Sequence, residues 1–229
     1  MSEEIGYPKF LRDTAVTKID DNTWEAELTD SWNIGGVANG GYSMATAARA
    51  FSEALEHKDP LSITGHYLSR VEPGKAVLEI EKLNIGRSVS TALLKFIQGG
   101  VERIRFTSCF TDFSKSKGDT LREVEAPNFP PIEDCIHMPY IKGFTPVLEK
   151  QIDRRFAPYS NWWDEERPRE RASLDAYYAW PGGETIDLFS VIFFLDTMSP
   201  PIFNRLGSRG WVPSLELTMH LKQSPAPGP

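Results

Sequence analysis

The sequence predicts an α+β protein. Residues 14–31 alternate apolar and polar side chains, as half-buried strands do, and a helical pattern follows at 40–57. Strand patterns come next, and the order of strands, helix and strand begins again after residue 146. Because a single helix among antiparallel strands is best buried when a curled sheet wraps around it, each repeat predicts one helix-filled sheet.

The first helix follows a glycine-rich stretch, Trp32–Tyr42, with glycines at 35, 36, 40 and 41. Met44, Ala48, Phe51 and Leu55 then recur at helical spacing. A bare backbone at a helix start lets an acyl or phosphate group approach unpaired N–H groups. Alternatively, the glycines only let a buried helix lie close to a sheet. The pattern leaves both interpretations open.

Four strands joined by short turns are predicted after this helix, at residues 61–68, 76–83, 90–98 and 103–110. Residues 113–145 are rich in Ser, Lys, Asp, Glu and Pro, which predicts a linker without regular structure. We therefore expect an N-terminal unit at 1–112, a linker at 113–145 and a C-terminal unit at 146–229.

The C-terminal unit repeats the element order of the first but lacks its last strands. Strands are predicted at 151–156 and 171–180, with a loop at 161–169 between them. The apolar run 188–196 predicts a second buried helix with Asp187 near its start, and 214–221 predicts a final strand. Strand edges left open in this way predict a homodimer or a higher assembly.

Composition narrows the functional classes. The net charge of −7 disfavours a nucleic-acid partner, although local bases can still meet a small anionic ligand. Cys109 and Cys135 show neither a disulfide framework nor a metal spacing, so we expect no metal, no cofactor and a reducing compartment. We find no signal peptide and no window near the ~20 apolar residues of a membrane span, so the cytoplasm is the expected location.

Short motifs in both halves resemble the acyl-CoA thioesterase II-like, double-hotdog proteins. The resemblance covers nearly the whole chain. Each motif alone is of low specificity, but the motifs occur in the order found in the family. It is carried by Val37–Tyr42, Pro60–Leu68, Asn84–Ser88, Phe194–Asp196 with Ser199-Pro200, and Pro213–Leu221.

The resemblance implies two hotdog units, each a curved antiparallel sheet around a long helix, and hydrolysis of an acyl-CoA or related acyl thioester. The family uses an Asp on the second-half helix, a Thr or Ser on the next strand and a Gln on the last strand to activate a water. Asp196 matches the Asp and Ser214 the hydroxyl residue. No residue of this sequence matches the Gln, as if the chain were a shortened form of a longer enzyme.

Asp196 can serve as a general base or form a covalent anhydride, and the sequence does not separate the two. Phe193, Phe194 and Leu195 are expected to desolvate its carboxylate and raise its pKa. The plainer interpretations are that Asp196 only ends a helix and that Ser214 only serves a turn.

In the first half, Asn39, Gly40 and Gly41 are expected to bind the substrate, with backbone N–H groups stabilising the oxyanion. Arg87 and Ser88 are candidates for contacting the phosphates of CoA, although an exposed Arg in a turn is more often only solvated. His66 and His220 lack a partner in a triad motif and receive no catalytic role.

Two other functions stay open. One is a non-catalytic protein that binds an acyl group or another hydrophobic ligand. The other, hydration or dehydration of an acyl thioester, ranks lower because the His-bearing hydratase pattern is not visible.

Overall fold

A computed structural model describes residues 4–119, 121, 123–164, 171–208 and 210–228. The predicted loop at 161–169 therefore lies partly outside the described residues. In chain order the helices and strands are α1 (Tyr7–Asp13), β1 (Thr17–Lys18), β2 (Thr23–Leu28), β3 (Asn33–Ile34), β4 (Val37–Ala38), α2 (Gly40–Ala54), β5 (Asp59–Tyr67), β6 (Gly74–Ile85), β7 (Ser90–Gln98), β8 (Val101–Thr111), β9 (Ile136–His137), β10 (Asp153–Phe156), β11 (Ala176–Ala179), α3 (Leu188–Leu195), α4 (Ile202–Leu206) and β12 (Glu216–His220).

Seven strands form one antiparallel sheet in the order β1-β2-β6-β7-β8-β5-β12. Alternation along β7 buries Ala92, Leu94 and Phe96, and α2 lies against the same sheet. Ala45 and Ala48 of α2 are fully buried, and the end of the Met44 side chain lies 3.2 Å from the position of a Cβ on Gly65 in β5, so the helix approaches the sheet closely. The predicted strands and helix of the first half are confirmed.

The second half contains a smaller sheet in the order β11-β10-β9. The predicted helix is confirmed as α3, but it covers 8 residues against 15 in α2, and it packs on α2. Its apolar residues merge with those around α2 into one continuous core. α3 therefore presents its C-terminal end to the first half of the chain.

The last predicted strand, β12, pairs with β5 at the edge of the large sheet, with Glu216 opposite His66 and Thr218 opposite Thr64. We predicted this strand as part of the C-terminal unit, and its pairing with β5 of the first half corrects that prediction. The consequence is functional, because residues just before β12 are held beside the end of β5.

Five of the described helices and strands were not predicted, and two of them are β3 and β4, which form a hairpin inside the glycine-rich stretch. α1 buries Phe10 against Trp180 and Phe193 of the second half, with ring centroids 5.1 and 5.2 Å apart. β9 lies just inside the predicted linker and supplies the third strand of the smaller sheet, whereas the other linker residues that the structure describes form short 3-10 turns or no regular structure. α4 follows Pro200-Pro201. None of the described helices has the length and apolarity needed to cross a bilayer.

Candidate active site

Asn39 organises the start of α2. Its backbone is extended, with φ −58° and ψ 142°, and its Oδ1 accepts a hydrogen bond of 3.0 Å from the Tyr42 amide, so it caps the helix. With Oδ1 used in this way, Nδ2 points outward. It donates to the carbonyl oxygen of Asp196 at 2.9 Å and to Oδ2 of the same residue at 3.3 Å.

Asp196 is the first residue after α3, and its position follows from how α3 is buried. Asp187 caps the start of that helix by accepting from the Ser190 amide at 2.6 Å, and fully buried Phe193 anchors its last turn. The two oxygens of the Asp196 carboxylate have different partners. Oδ2 accepts from the Gly41 amide at 2.8 Å and from Asn39, whereas Oδ1 accepts from the Ser214 hydroxyl at 3.3 Å.

Glycine is required at position 41 of α2, and a side chain at position 40 would displace the carboxylate of Asp196. A Cβ on Gly41 would lie 2.7 Å from the Phe193 carbonyl oxygen and 2.9 Å from Cβ of Asp196. A Cβ on Gly40 would lie 2.7 Å from Oδ2 of Asp196 and 3.0 Å from the hydroxyl oxygen of Tyr67. The bare backbone therefore lets the end of α3 and the carboxylate of Asp196 approach the start of α2. That an acyl or phosphate group binds there stays a prediction.

Burial raises the pKa of the Asp196 carboxyl above its ordinary value, and hydrogen bonds from Gly41, Ser214, Asn39 and Gly40 offset part of the effect. The donors keep a carboxylate possible in a half-buried position. A carboxylate with a raised pKa is a stronger base than an exposed one, which is what proton abstraction from water requires.

Ser214 is exposed and lies just before β12. The adjacent Leu215 carbonyl accepts a hydrogen bond of 2.9 Å from the Tyr67 amide, which continues the pairing of β12 with β5. This backbone bond fixes the position of Ser214 relative to Asp196. The hydroxyl thus reaches the carboxylate because β12 pairs with β5 rather than with the smaller sheet.

Tyr67 belongs to the site although the sequence reasoning gave it no role. Its hydroxyl donates to the Gly40 carbonyl oxygen at 3.0 Å. Burial and the charge of Asp196 raise the pKa of this hydroxyl well above its ordinary value, so it stays protonated. A signal was present, because the two-residue period of a strand puts Tyr67 on the same face as buried Ile63 and Gly65.

Arg87 and Ser88 are not brought to this site. The carbonyl of Arg87 faces Nε2 of His57 at 3.4 Å, and that of Ser88 accepts from Thr111 at 3.0 Å. His57 lies beyond the C-terminal end of α2, about 20 Å from its start at the 1.5 Å rise of each residue. Among the described residues no cluster of three or more His, Cys, Asp or Glu is placed to hold a metal ion.

Two family models match the chain. The model of the acyl-CoA thioesterase N-terminal domain matches residues 28–111, and that of the acyl-CoA thioesterase C-terminal domain matches residues 132–229. The chain belongs to the acyl-CoA thioesterase family. The predicted family is thereby confirmed, and the C-terminal model contains both Asp196 and Ser214.

Solved structures confirm the predicted double-hotdog fold for this acyl-CoA thioesterase family member. A candidate thioesterase II of Thermobifida fusca superposes with a TM-score of 0.84 at 25% identity, over 96% of this chain and 84% of that one. A hot dog fold protein of Alicyclobacillus acidocaldarius superposes with a TM-score of 0.81 at 17% identity, over 94% and 79% of the two chains. The second likeness bears on the fold alone.

A relative of known name is the thioesterase-like protein TwmA of Talaromyces wortmannii. It is 35% identical to this family member over 95 residues, which are 40% of this chain and 27% of TwmA. The match thus spans about a quarter of that protein's length.

Proposed function

We propose that the chain hydrolyses an acyl-CoA or a related acyl thioester to the free acid and the thiol. One observation carries the proposal. The two oxygens of Asp196 are differentiated, since Oδ2 is held by Gly41 and Asn39 while Oδ1 lies beside the exposed hydroxyl of Ser214. This arrangement fixes the carboxylate and leaves one oxygen directed at a place that water can reach.

In the proposed reaction a water lies between Oδ1 of Asp196 and Oγ of Ser214. Oδ1 takes a proton from the water while the oxygen of the water attacks the carbonyl carbon of the thioester. The tetrahedral intermediate then collapses, the carbon–sulfur bond breaks, and the leaving thiolate recovers the proton from Asp196. The balance is one thioester and one water giving one acid and one thiol, with the carboxylate restored.

Apolar surface next to the two polar residues supports an acyl substrate. Leu195, which precedes Asp196, is 58% exposed, and Leu215, which follows Ser214, is 74% exposed. The ring of Trp211 lies over Gly35 in the hairpin that leads into Asn39, and it is 54% exposed. An acyl chain lying across these residues would cover exposed apolar area while its carbonyl carbon faces the water.

The proposal is tested by measuring thiol release from acyl-CoAs of increasing chain length, with a thiol-reactive dye as the readout. Turnover of at least one member of the panel is expected. No thiol above the uncatalysed rate from any member would contradict the proposal.

A second candidate is a protein that binds an acyl group without consuming it. The observation that favours it is that the Gly41 amide, the expected oxyanion donor, is already bonded to Asp196. This candidate predicts a calorimetric binding signal for an acyl-CoA that is recovered intact. In either case we also propose a homodimer or higher assembly, which sedimentation velocity of the whole chain checks.

A further inference from the structure

The proposed reaction needs a hydrogen-bond donor for the oxygen that becomes negative when the thioester is attacked. Five polar hydrogens border the carboxylate of Asp196. Those of the Gly40 and Gly41 amides, the Asn39 side chain and the Ser214 hydroxyl are directed at that carboxylate. The fifth, on the Tyr67 hydroxyl, points at the carbonyl of Gly40.

These five bonds differ in strength because their acceptors differ in charge. A hydrogen bond to an ionised carboxylate is roughly twice as strong as one between neutral groups. Redirecting any of the four donors that face Asp196 would therefore remove a charge-assisted bond and leave the carboxylate with fewer hydrogen bonds. Redirecting Tyr67 breaks only a neutral bond of 3.0 Å.

The carbonyl released by such a movement does not become an isolated buried acceptor. Gly40 is half-buried rather than enclosed, so water has access to its neighbourhood. Rotation of a phenol about its C–O bond needs no movement of the ring, so the partner can change while Tyr67 keeps its place.

The position of the hydroxyl also suits the role. The Tyr67 oxygen and Oδ2 of Asp196 border one point, the site that a Cβ on Gly40 would occupy, at 3.0 and 2.7 Å. The Tyr67 hydroxyl therefore lies beside Oδ2, the carboxylate oxygen that Gly41 and Asn39 hold, while Oδ1 is the oxygen proposed to act as the base. A thioester carbonyl that binds beside the carboxylate in the proposed reaction is close to this hydroxyl.

We propose that Tyr67 is a further catalytic residue, whose hydroxyl leaves the Gly40 carbonyl and donates to the thioester carbonyl oxygen as that oxygen becomes an oxyanion. This inference rests on the proposed hydrolysis. The proton stays on Tyr67 throughout, and the charge returns from the oxyanion when the carbon–sulfur bond breaks. The raised pKa of the hydroxyl supports the role, because the group remains a donor at every pH at which the carboxylate is a base.

A structural role for Tyr67 is the competing explanation, and Tyr177 offers a matched control. The hydroxyl of Tyr177 donates to the backbone carbonyl of Pro130, also at 3.0 Å, and the residue is half-buried in β11. Tyr177→Phe therefore removes a bond of the same kind and length at a distance from Asp196.

The experiment compares kcat and KM for thiol release among wild type, Tyr67→Phe and Tyr177→Phe. We expect Tyr67→Phe to lower kcat by about 100-fold or more, the usual effect of removing one oxyanion donor, with KM changed by less than about threefold. Tyr177→Phe is expected to keep kcat. A second measurement replaces Tyr67 with 3-fluorotyrosine, which keeps the ring and makes the hydroxyl a stronger donor, and kcat is expected to rise with the melting temperature unchanged.

An active wild type with an equally active Tyr67→Phe would overturn this inference and leave the proposed hydrolysis standing. Equal losses of kcat in Tyr67→Phe and Tyr177→Phe, or a kcat indifferent to fluorination, would also overturn it. A wild type that releases no thiol would contradict the proposed function and this inference with it.

Discussion

The Gly41 amide lies 2.8 Å from Oδ2 of Asp196, although the two residues are 155 positions apart in the chain. The start of α2 thus serves as a binding site for the protein's own carboxylate. The contact forms because α3 packs on α2 and ends where the glycines leave the backbone bare. It joins the two halves of the chain at the place where both contribute to the candidate site.

Adding a methyl group to Gly41 tests how closely the two helices must approach. Gly41→Ala puts a Cβ against the Phe193 carbonyl and Asp196, so we expect a loss of about 1–3 kcal/mol in the free energy of unfolding and a lower kcat. Urea unfolding and thiol release measure the two effects. Gly118→Ala is the matched control, since no atom lies within 4 Å of its added Cβ. Equal stability of the two variants would refute the close approach.

Removing the hydroxyl of Ser214 should change the pH dependence of hydrolysis. The Ser214 hydrogen bond lowers the pKa of Asp196 against the raising effect of burial. In Ser214→Ala that offset is lost, so the acid limb of the profile of kcat/KM against pH should move to higher pH. At neutral pH we expect a loss of roughly tenfold, the kinetic equivalent of about 1.4 kcal/mol. An unmoved limb would show that the hydroxyl does not act on the carboxylate.

Changing the charge at position 39 isolates its effect on Asp196 from its role as a helix cap. Asn39→Asp keeps a good cap but replaces the Nδ2 donor with a second carboxylate, and two carboxylates in one site cannot both ionise freely. We expect the acid limb to move to higher pH than in Ser214→Ala. Because a pKa raised in the folded state costs stability above it, the melting temperature should also fall at neutral pH and recover in acid. Asn39→Ser, which caps without a charge, should shift the limb less. A larger shift in Asn39→Ser would count against this explanation.

The acid stability of the fold should depend on Asp13. Burial alone would raise the pKa of this carboxyl, yet donors from Lys9, Trp32 and Thr29 outweigh it and hold the pKa below its ordinary value. The stabilisation is therefore complete above the unfolded pKa of about 3.9 and disappears as the pH falls through the folded value. Asp13→Asn should cost about 1–3 kcal/mol at pH 7 and less in acid. Urea unfolding at both pH values checks this, and a difference that grows in acid would contradict it.

Local patterns predicted the fold of the first half well because its long strands alternate and its turns carry Gly, Pro, Asp or Asn. The run 188–196 predicted α3 because its apolar side chains had to be buried. β9 escaped prediction because a two-residue strand is too short to show a period. The pairing of β12 with β5 escaped because sequence order does not specify which sheet edge a strand joins.

The candidate site also contains residues that the sequence predicted and residues that it did not. Asp196 and Ser214 were proposed from the resemblance, and the structure places them in hydrogen-bond contact. The direct hydrogen bond from Gly41 to Asp196 was not predicted, because it depends on where α3 ends in space. Tyr67 was overlooked because its role depends on that same contact. Arg87 and Ser88 lie near the C-terminal end of α2, and their contact with the phosphates of CoA stays a prediction.

The central claim is that the Asp196 carboxylate is the base in thioester hydrolysis, and the most direct test is the kcat of Asp196→Asn for thiol release. The substitution keeps the size of the side chain and an oxygen for the Gly41 amide, and Asp21→Asn in an exposed turn is the control. We predict a loss of at least about 100-fold in Asp196→Asn, typical of removing a general base, and none in Asp21→Asn. Full turnover by Asp196→Asn would contradict the account.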